Sequence, residues 1–231
     1  MSAGFIEALS LSLKLSFLTT FILSITALPL GYLTSMKARA WYVVLEFFVS
    51  LPLVFPPVIL GFYLLLLFSP RGPVGKLYHV LFSAPLAFSF VGILLAACIY
   101  GFPHMYRQSR SVFAGLDSRY MELARVLGKS EVRIFFSIVL PQTLLSLLCS
   151  MLFCFSHILG AFGVIVMVGG NLPGETKVAS VMLFELVQNF RYTEAMKFSF
   201  TLVGISFFIM CCTEVMKRIL AMNQGAGKEK Q

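Results

Sequence analysis

Charged side chains are scarce in this sequence. Only 12% of its 231 residues are Asp, Glu, Lys or Arg, and Asp117 is the single aspartate. The sequence contains no paired carboxylates, no zinc-binding pair of histidines and no nucleophile elbow, and His104 is interpreted as a lone interfacial side chain. Catalysis inside a membrane needs ionisable groups within the apolar segments, which contain almost none. We therefore expect no catalytic residue, no metal site and no cofactor bound by this chain.

Apolar residues dominate instead. They make up 58% of the chain, and the mean hydropathy is +0.90. A soluble domain of this length has no core large enough to bury so many apolar side chains. The apolar runs reach 20 or more residues without alternating with polar ones, which predicts transmembrane helices rather than barrel strands.

The expected fold is an all-α integral membrane protein with five full transmembrane helices and one partial helix. A cleaved signal peptide is a competing interpretation of the first segment, but the apolar stretch after Lys14 is too long for one. The chain is read as a single transmembrane domain, 1–231. Its predicted spans are 10–35, 41–68, 86–106, 134–158 and 193–215, with a polar loop at 107–133 and a Gly-rich loop and short helix at 160–190.

The lysines and arginines are distributed unevenly. Twelve of the 18 lie at 36–40, at 107–133 and in the C-terminal tail. Because Lys and Arg accumulate on the cytoplasmic side of membrane proteins, we expect the N-terminus outside and the polar loop and tail inside. The net charge of +8 thus indicates orientation in a membrane and not nucleic acid binding. A full crossing at 177–190 would break this agreement.

Prolines interrupt the second predicted span. The segment LPLVFPP contains Pro52, Pro56 and Pro57, and Gly61 follows. Proline lacks a backbone donor and clashes with the preceding turn, so the helix is expected to kink or unwind. Irregular backbone at membrane depth is tolerated only against protein or beside a water-filled cavity. A simple kink and a segment lining a transport path both remain open.

The polar segment between the third and fourth spans contains signals for two short helices. Asp117 or Ser118 is a candidate N-cap for a helix at 119–127. Gly128 suits the left-handed stop after it, and Ser130 can cap the next helix. Two helices meeting at Gly128 are therefore predicted.

The charges of the first short helix have a local explanation. Glu122 lies three residues from both Arg119 and Arg125, which predicts ion pairs within the helix. Local pairing does not explain why a membrane protein keeps a structured polar element here. A helix presented to a groove of a soluble partner does explain it.

The spacing of this segment resembles the EAA loop of ABC-importer permeases. Leu123 departs from that pattern, which usually has Ala. The resemblance implies the ABC type I importer permease fold and a helix at 118–128 that docks into a separate ATPase subunit, which binds ATP and Mg. The matching positions are Glu122, Ala124, Gly128, Ile138, Leu140 and Pro141. The coupling residues it implies are Glu122, Ala124, Arg125, Gly128 and Pro141.

Two more segments resemble the permeases of molybdate importers: LPLVFPPVILGF at 51–62 and NLPGET at 171–176. The resemblance implies a multi-pass subunit of the bacterial cytoplasmic (inner) membrane that translocates molybdate or tungstate. Its implied partners are a second copy of the chain, two ATPase subunits, an extracytoplasmic oxyanion-binding protein and the lipid bilayer. A permease for sulfate, thiosulfate or another small solute remains an alternative, as does an ion-gradient-driven transporter.

The translocation path is expected at 52–61 and 160–176. Backbone N–H groups at broken helices and Gly-rich turns can face an oxyanion without a full charge. Related permeases carry an acid in a Leu-Gly-Glu-Phe-Gly stretch, where this chain has Ala161. Glu175 excludes a phosphate-binding loop, which needs Lys at that position. The path or gate candidates are Pro52, Pro56, Pro57, Gly61, Gly160, Phe162, Gly163, Pro173, Gly174, Glu175 and Thr176.

Overall fold

The computed structural model describes residues 3–35 and 40–228, and regular structure in these ranges is entirely helical. The predicted basic loop with Lys37 and Arg39, and Lys230 of the tail, lie outside the described residues. The helices are α1 (Ala3–Ser35), α2 (Ala40–Val54), α3 (Pro57–Phe68), α4 (Pro73–Phe82), α5 (Phe90–Ala114), α6 (Ser118–Val126), α7 (Glu131–Ile134), a π-helical turn (Phe135–Val139), α8 (Leu140–Leu159), α9 (Gly163–Gly169), α10 (Ala179–Gln188) and α11 (Tyr192–Lys228).

Four helical segments of the described chain are long and apolar enough to cross a membrane, and the number is five when a bent pair of helices is counted as one span. The pair is Tyr42–Val54 and Pro57–Phe68, which meet at 105°. The predicted all-α membrane fold with about five spans is therefore confirmed. The four single segments are Gly4–Ser35, Phe90–Ala114, Glu131–Leu159 and Tyr192–Arg218.

The break in the second span lies at the proline pair. Pro57 restricts the residue before it to an extended conformation, and Pro56 has φ −52° and ψ 135°. The helix therefore stops at Val54 and restarts at Pro57, where a missing N–H costs nothing. Pro52 is accommodated within α2. The predicted interruption is confirmed, and it is a sharp turn.

The bundle is built on α1, α5, α8 and α9, whose apolar side chains form the main core. Small residues let α1 and α5 approach closely, as is usual between membrane helices. A Cβ on Gly31 would lie 2.1 Å from Ser109 Oγ. Nearby, the buried Tyr106 hydroxyl donates to Thr34 Oγ1 at 3.1 Å, which satisfies both groups.

Several predicted boundaries need correction. The third span does not end at 106, because α5 continues through Arg107 and Arg110 to Ala114 and stops beside Gly115. Arg110 can remain on the helix because Glu46 of α2 neutralises it at 2.5 Å. The loop at 107–133 is thus largely helical, and α4 lies between the second and third predicted spans.

The bounds of several other helices also differ from the predicted ones. Helix α1 begins at Ala3 rather than near residue 10, and α11 continues beyond 215 to Lys228. The Gly-rich loop contains α9. Helix α10 has 10 residues and is about 15 Å long at 1.5 Å per residue, too short to cross a core of about 30 Å. It is the expected partial helix.

Candidate functional site

The corner between α6 and α7 has the caps that the sequence predicts. The Asp117 carboxylate accepts a hydrogen bond from the Arg119 N–H at 3.0 Å, and Ser130 Oγ accepts one from the Arg133 N–H at 3.4 Å. Gly128 has φ +74°, and its N–H donates to the Arg125 carbonyl at 2.9 Å. The chain therefore turns tightly between two capped helices.

Helix α6 has one buried face and one exposed face. Met121 and Ala124 pack into a small core that includes Phe113 and Ile134. On the opposite side the exposed apolar side chains are Leu123 (62% exposed), Val126 (85%) and Leu127 (77%). An apolar helix face that stays exposed is the form in which a helix binds a partner's groove.

The predicted pairing of Glu122 with Arg125 is wrong. Arg125 instead spans the corner to Glu131, with Nε to Oε1 at 2.6 Å and Nη2 to Oε2 at 3.1 Å. This bidentate hydrogen bond raises the pKa of Arg125 above its ordinary value. In the described part of the chain Glu122 has no salt bridge, neither with Arg119 nor with Arg125, and it is exposed beside Leu123.

Pro141 lies at the junction between the corner and the membrane span. Proline cannot donate to the Ser137 carbonyl, and its ring would clash with that carbonyl in a regular helix. The chain adopts a π-helical turn just before it, where the Leu140 N–H donates to the Phe135 carbonyl. Pro141 thus shapes the joint between α7 and α8.

The two predicted path segments meet where α3 packs against α9. A Cβ on Gly61 would lie 2.8 Å from Met167 Cβ and 2.9 Å from Val164 Cα. A Cβ on Gly163 would lie 3.0 Å from Val58 Cγ2 and 3.1 Å from Val58 N. A side chain at position 61 would therefore clash, one at position 163 would be tighter than an ordinary contact, and the first turns of the two helices lie side by side.

The break before α9 completes this arrangement. Helix α8 ends at Leu159, Gly160 is exposed, and half-buried Phe162 packs against Phe184 with ring centroids 4.9 Å apart. Ala161 is only 6% exposed, and its carbonyl accepts a hydrogen bond from Ser180 Oγ at 2.7 Å. A carboxylate at this position would be buried among apolar groups, which is costly without a partner.

The remaining path candidates lie in the loop at 171–177 and fall into two groups. Pro173, Gly174 and Glu175 are exposed, and Gly174 has φ +78°. Thr176 is fully buried; its hydroxyl donates to the Gly169 carbonyl at 2.6 Å and accepts from the Leu172 N–H at 3.1 Å. Thr176 therefore fastens the loop from inside and cannot touch a solute.

An ionic contact fastens the same loop to α10. Lys177 Nζ lies 2.8 Å from Glu185 Oε2, and the Asn171 side-chain amide donates to the same oxygen. The hydrogen bond from Lys177, followed by that from Asn171, lowers the pKa of the Glu185 carboxyl. Local spacing in the sequence does not reveal this contact, because the partners of Glu185 precede it by 8 and 14 residues.

Two further positions differ from expectation. Pro52 lines a cavity shared with α1 and α5, not the contact between α3 and α9. His104 is not a lone interfacial residue: it is half-buried within α5, and its ring centroid lies 4.0 Å from that of His157 on α8. Sequence reasoning missed this pair because 53 residues separate its members.

Residues 27–222 match the family described as "Binding-protein-dependent transport system inner membrane component". The chain belongs to this family. It is 31% identical to the molybdenum transport system permease protein ModB of Azotobacter vinelandii over 216 residues, 94% of this chain and 96% of that protein. Identity to ModB of Escherichia coli K12 is 34% over 186 residues, 79% of this chain and 80% of that protein.

A sulfate permease and a solved transporter extend the comparison. The sulfate transport system permease protein CysT of Salmonella typhimurium is 24% identical over 205 residues, 89% of this chain and 74% of that protein. A chain of the methionine ABC transporter MetNI, solved in inward-facing conformations, superposes with a TM-score of 0.72 at 15% identity, covering 95% of this chain and 99% of that one.

The chain is thus an ABC-importer permease, a multi-pass transport subunit of the inner membrane and not an enzyme. ATP is hydrolysed by a separate subunit in such transporters. The predicted permease fold and the resemblance to molybdate-importer permeases are confirmed. The alternative of an ion-gradient-driven transporter is wrong, because the family match covers most of the chain.

Proposed function

We propose that this permease translocates molybdate or tungstate across the cytoplasmic membrane, driven by a separate ATPase subunit. Similarity to a molybdenum permease over 94% of the chain supports the oxyanion. The observation that carries the coupling is the capped corner at Gly128, which presents the exposed face of α6. The chain itself binds no cofactor in this proposal; ATP and Mg belong to the partner.

Coupling passes through the α6 corner. Leu123, Val126 and Leu127 supply the apolar contact with a groove of the ATPase, and Glu122 supplies a charge that makes no salt bridge with any described residue. Ala124 and Arg125 act differently: Ala124 packs inward, and Arg125 stiffens the corner through Glu131. Motion of the ATPase then moves α7 and α8 as well.

The anion passes the meeting point of α3 and α9. Both helices begin there, and helix N-termini carry partial positive charge from unpaired amide groups. Pro56, Pro57 and Gly61 shape one half, and Gly160, Phe162 and Gly163 the other. With no fixed cation at these positions the route has low affinity, and an external oxyanion-binding protein supplies recognition.

The functional unit contains two copies of this chain, two ATPase subunits and one binding protein. The exposed loop residues Pro173, Gly174 and Glu175 lie on the outer side. The N-terminus is outside and the C-terminus in the cytoplasm, as the basic residues indicate. Protease protection of a C-terminal tag in right-side-out vesicles tests the orientation; cleavage of the tag from outside would contradict it.

The substrate is tested by uptake. The permease is reconstituted with its ATPase and binding protein in proteoliposomes, and uptake of labelled molybdate is measured with and without ATP. We expect ATP-dependent uptake that tungstate inhibits at lower concentration than sulfate does. Inhibition by sulfate at equal or lower concentration than tungstate would contradict the molybdate assignment.

The coupling surface is tested by substitution. In the same proteoliposomes, Glu122→Lys and Gly128→Val should lower the uptake per ATP hydrolysed while the protein still inserts. Valine is strained at φ +74°, by about 1–2 kcal/mol, although no atom lies within 4 Å. Glu214→Lys, a similarly exposed substitution on α11, is the matched control. Wild-type coupling in both test variants would refute this role.

Sulfate is the second candidate substrate. The similarity to CysT over 89% of the chain favours it. The uptake competition separates the two candidates directly.

A further inference from the structure

A groove between α1, α2 and α5 contains two cavities, one with charged side chains in its lining and one without. The first, of about 410 Å³, lies at the α6 end of the bundle. Its lining is Ser35, Glu46, Arg107, Arg110, Ser111 and Ala114. The second, of about 400 Å³, lies on the same three helices toward their middle. It is lined by apolar side chains, among them Ile22, Phe48, Val49, Pro52 and Phe102, and by one hydroxyl side chain, Thr26.

The polar cavity carries one uncompensated positive charge. Arg110 pairs with Glu46 at 2.5 Å, and the pair is about one-third exposed. Arg107 is exposed and donates from Nη2 to Ser50 Oγ at 2.9 Å. Among the described residues Arg107 has no carboxylate within salt-bridge distance. Hydrogen bonds therefore hold both guanidinium groups in place, and that of Arg107 is still able to bind an anion.

The hydrogen bond to Ser50 also shows how the cavities relate. Ser50 lies on α2 directly after Val49 and two residues before Pro52, both of which line the apolar cavity. The Arg107 guanidinium thus lies at the boundary between the cavities. Arg107 is seven residues before the end of α5, about 10 Å along a helix that spans the membrane. Residues 90–106 of α5 contain no Asp, Glu, Lys or Arg, so Arg107 is the first charged side chain at this end of the apolar segment, near the level of lipid headgroups.

A cationic side chain beside an apolar cavity indicates which kind of ligand the groove binds. A soluble oxyanion would use the arginines but has no use for the apolar cavity. A zwitterionic lipid would fill the apolar cavity but bring its ammonium group to a site that already has positive charge. We propose that the groove binds one anionic phospholipid of the phosphatidylglycerol type, its phosphodiester on Arg107 and one acyl chain in the apolar cavity.

Lipid binding by the purified full-length chain tests this site. Delipidated protein in detergent is titrated with dioleoyl phosphatidylglycerol, with dioleoyl phosphatidylcholine, and with soluble glycerophosphoglycerol, and bound species are counted by native mass spectrometry. We expect one retained phosphatidylglycerol, bound at least about fivefold more tightly than phosphatidylcholine, as one basic residue near a headgroup predicts. Glycerophosphoglycerol should not compete at matched concentration.

Variants test the contact with the lipid headgroup and the contact with the acyl chain separately. Arg107→Gln should abolish the preference for phosphatidylglycerol, and Arg107→Lys should retain it. Thr26→Trp, which fills the apolar cavity, should weaken binding of both lipids. Arg119→Gln, an exposed arginine outside the groove, is the matched control and should bind like wild type.

Four results would overturn the proposal. Equal affinity for the two lipids in wild type would do so, as would a preference that persists in Arg107→Gln. Competition by glycerophosphoglycerol would identify a site for free anions. Binding that appears only after a dimer dissociates would show that a second copy covers the groove. The Arg107→Lys and Thr26→Trp results remain informative if Arg107→Gln does not fold.

Discussion

Gly61 and Gly163 let α3 and α9 pack closely, because a Cβ on Gly61 would clash with α9 and a Cβ on Gly163 would press against Val58 of α3. The nearest atoms to a Cβ on Gly61 belong to Val164 backbone and Met167 Cβ, which cannot rotate away. Close approach of this kind is one of the few reasons to place glycine within a helix, where it is otherwise unfavourable. The contact lies at the proposed path, so it also bears on transport.

A residue-scale prediction follows from Gly61. Gly61→Ala should destabilise the α3–α9 contact by about 1–3 kcal/mol, the usual cost of overpacking. A lowered thermal midpoint in detergent and reduced uptake in proteoliposomes would measure the effect. Gly204→Ala on α11 is the matched control, because nothing lies within 4 Å of the added Cβ. Equal stability of the two variants would mean that α3 and α9 are not tightly packed.

Local spacing predicted some residue roles and failed on others. Gly128, Asp117 and Ser130 could be predicted because a cap depends only on residues nearby in sequence. The partner of Arg125 could not, because Glu131 reaches it only after the chain turns at Gly128. The burial of Thr176 could not be predicted from the sequence either, because it depends on how the loop at 171–177 folds back onto Gly169.

At the scale of elements, the Glu185 carboxylate of α10 holds the loop at 171–177 in place. The hydrogen bond from Lys177, and then that from Asn171, hold the pKa of Glu185 below its ordinary value of 4.5. A depressed pKa means that the folded state favours the charged form. This contribution to stability is present above the ordinary pKa and is lost as the pH falls through the folded value.

We therefore expect the loop at 171–177 to loosen below about pH 4.5. Hydrogen exchange of its amides, corrected for intrinsic rates, should rise more steeply in wild type than in Glu185→Gln as the pH is lowered from 6 to about 3. The glutamine variant has no carboxylate to protonate, so it serves as the control. Identical pH profiles would contradict the anchoring role of Glu185.

The π-helical turn at Phe135–Val139 is a second element with a single identifiable cause. Pro141 removes the donor that a regular helix would need at this position. A π-helical turn contains one more residue than an α-helical turn, so it rotates the residues that precede it about the helix axis relative to α8. The direction in which α6 presents Leu123 therefore depends on Pro141.

Pro141→Ala should let α7 and α8 join as a regular helix and turn the α6 corner away from its partner. The expected result is lower uptake per ATP hydrolysed, with normal insertion and an unchanged or raised thermal midpoint. Pro29→Ala within α1 is the control for loss of a helical proline. Unchanged coupling in Pro141→Ala would mean that the π turn does not orient the corner.

Element boundaries could be predicted where proline or glycine determines them. The break between Pro56 and Pro57 needs no tertiary information, because the restriction is in the dipeptide itself. The end of α5 could not be predicted in the same way. Arg107 and Arg110 suggested a loop, and only Glu46, 64 residues away, makes a charged helix end at this position favourable.

At the scale of the whole molecule, the proposed path is open on one side. The contact of α3 and α9 lies at the surface of the chain, and neighbouring side chains of α3 remain exposed. Phe62 is 45% exposed and Tyr63 is 55% exposed. A polar solute at this surface would meet lipid, whose apolar interior is costly for an anion. A second copy facing α3 would close the route, which is the physical reason for the proposed dimer.

A substitution experiment distinguishes an α3 face that contacts a second copy from one that contacts only lipid. If α3 faces a second copy, the double substitution Phe62→Ala and Tyr63→Ala should shift the purified chain from dimer to monomer in light scattering after size-exclusion chromatography. Phe207→Ala with Phe208→Ala on α11 removes two aromatic rings that are each 68% exposed, and it should leave the dimer intact if that face contacts only lipid. Dissociation by the α11 pair but not the α3 pair would place the second copy on the opposite side of the molecule. The route at α3 and α9 would then face the bilayer, and the proposed path would have to be abandoned.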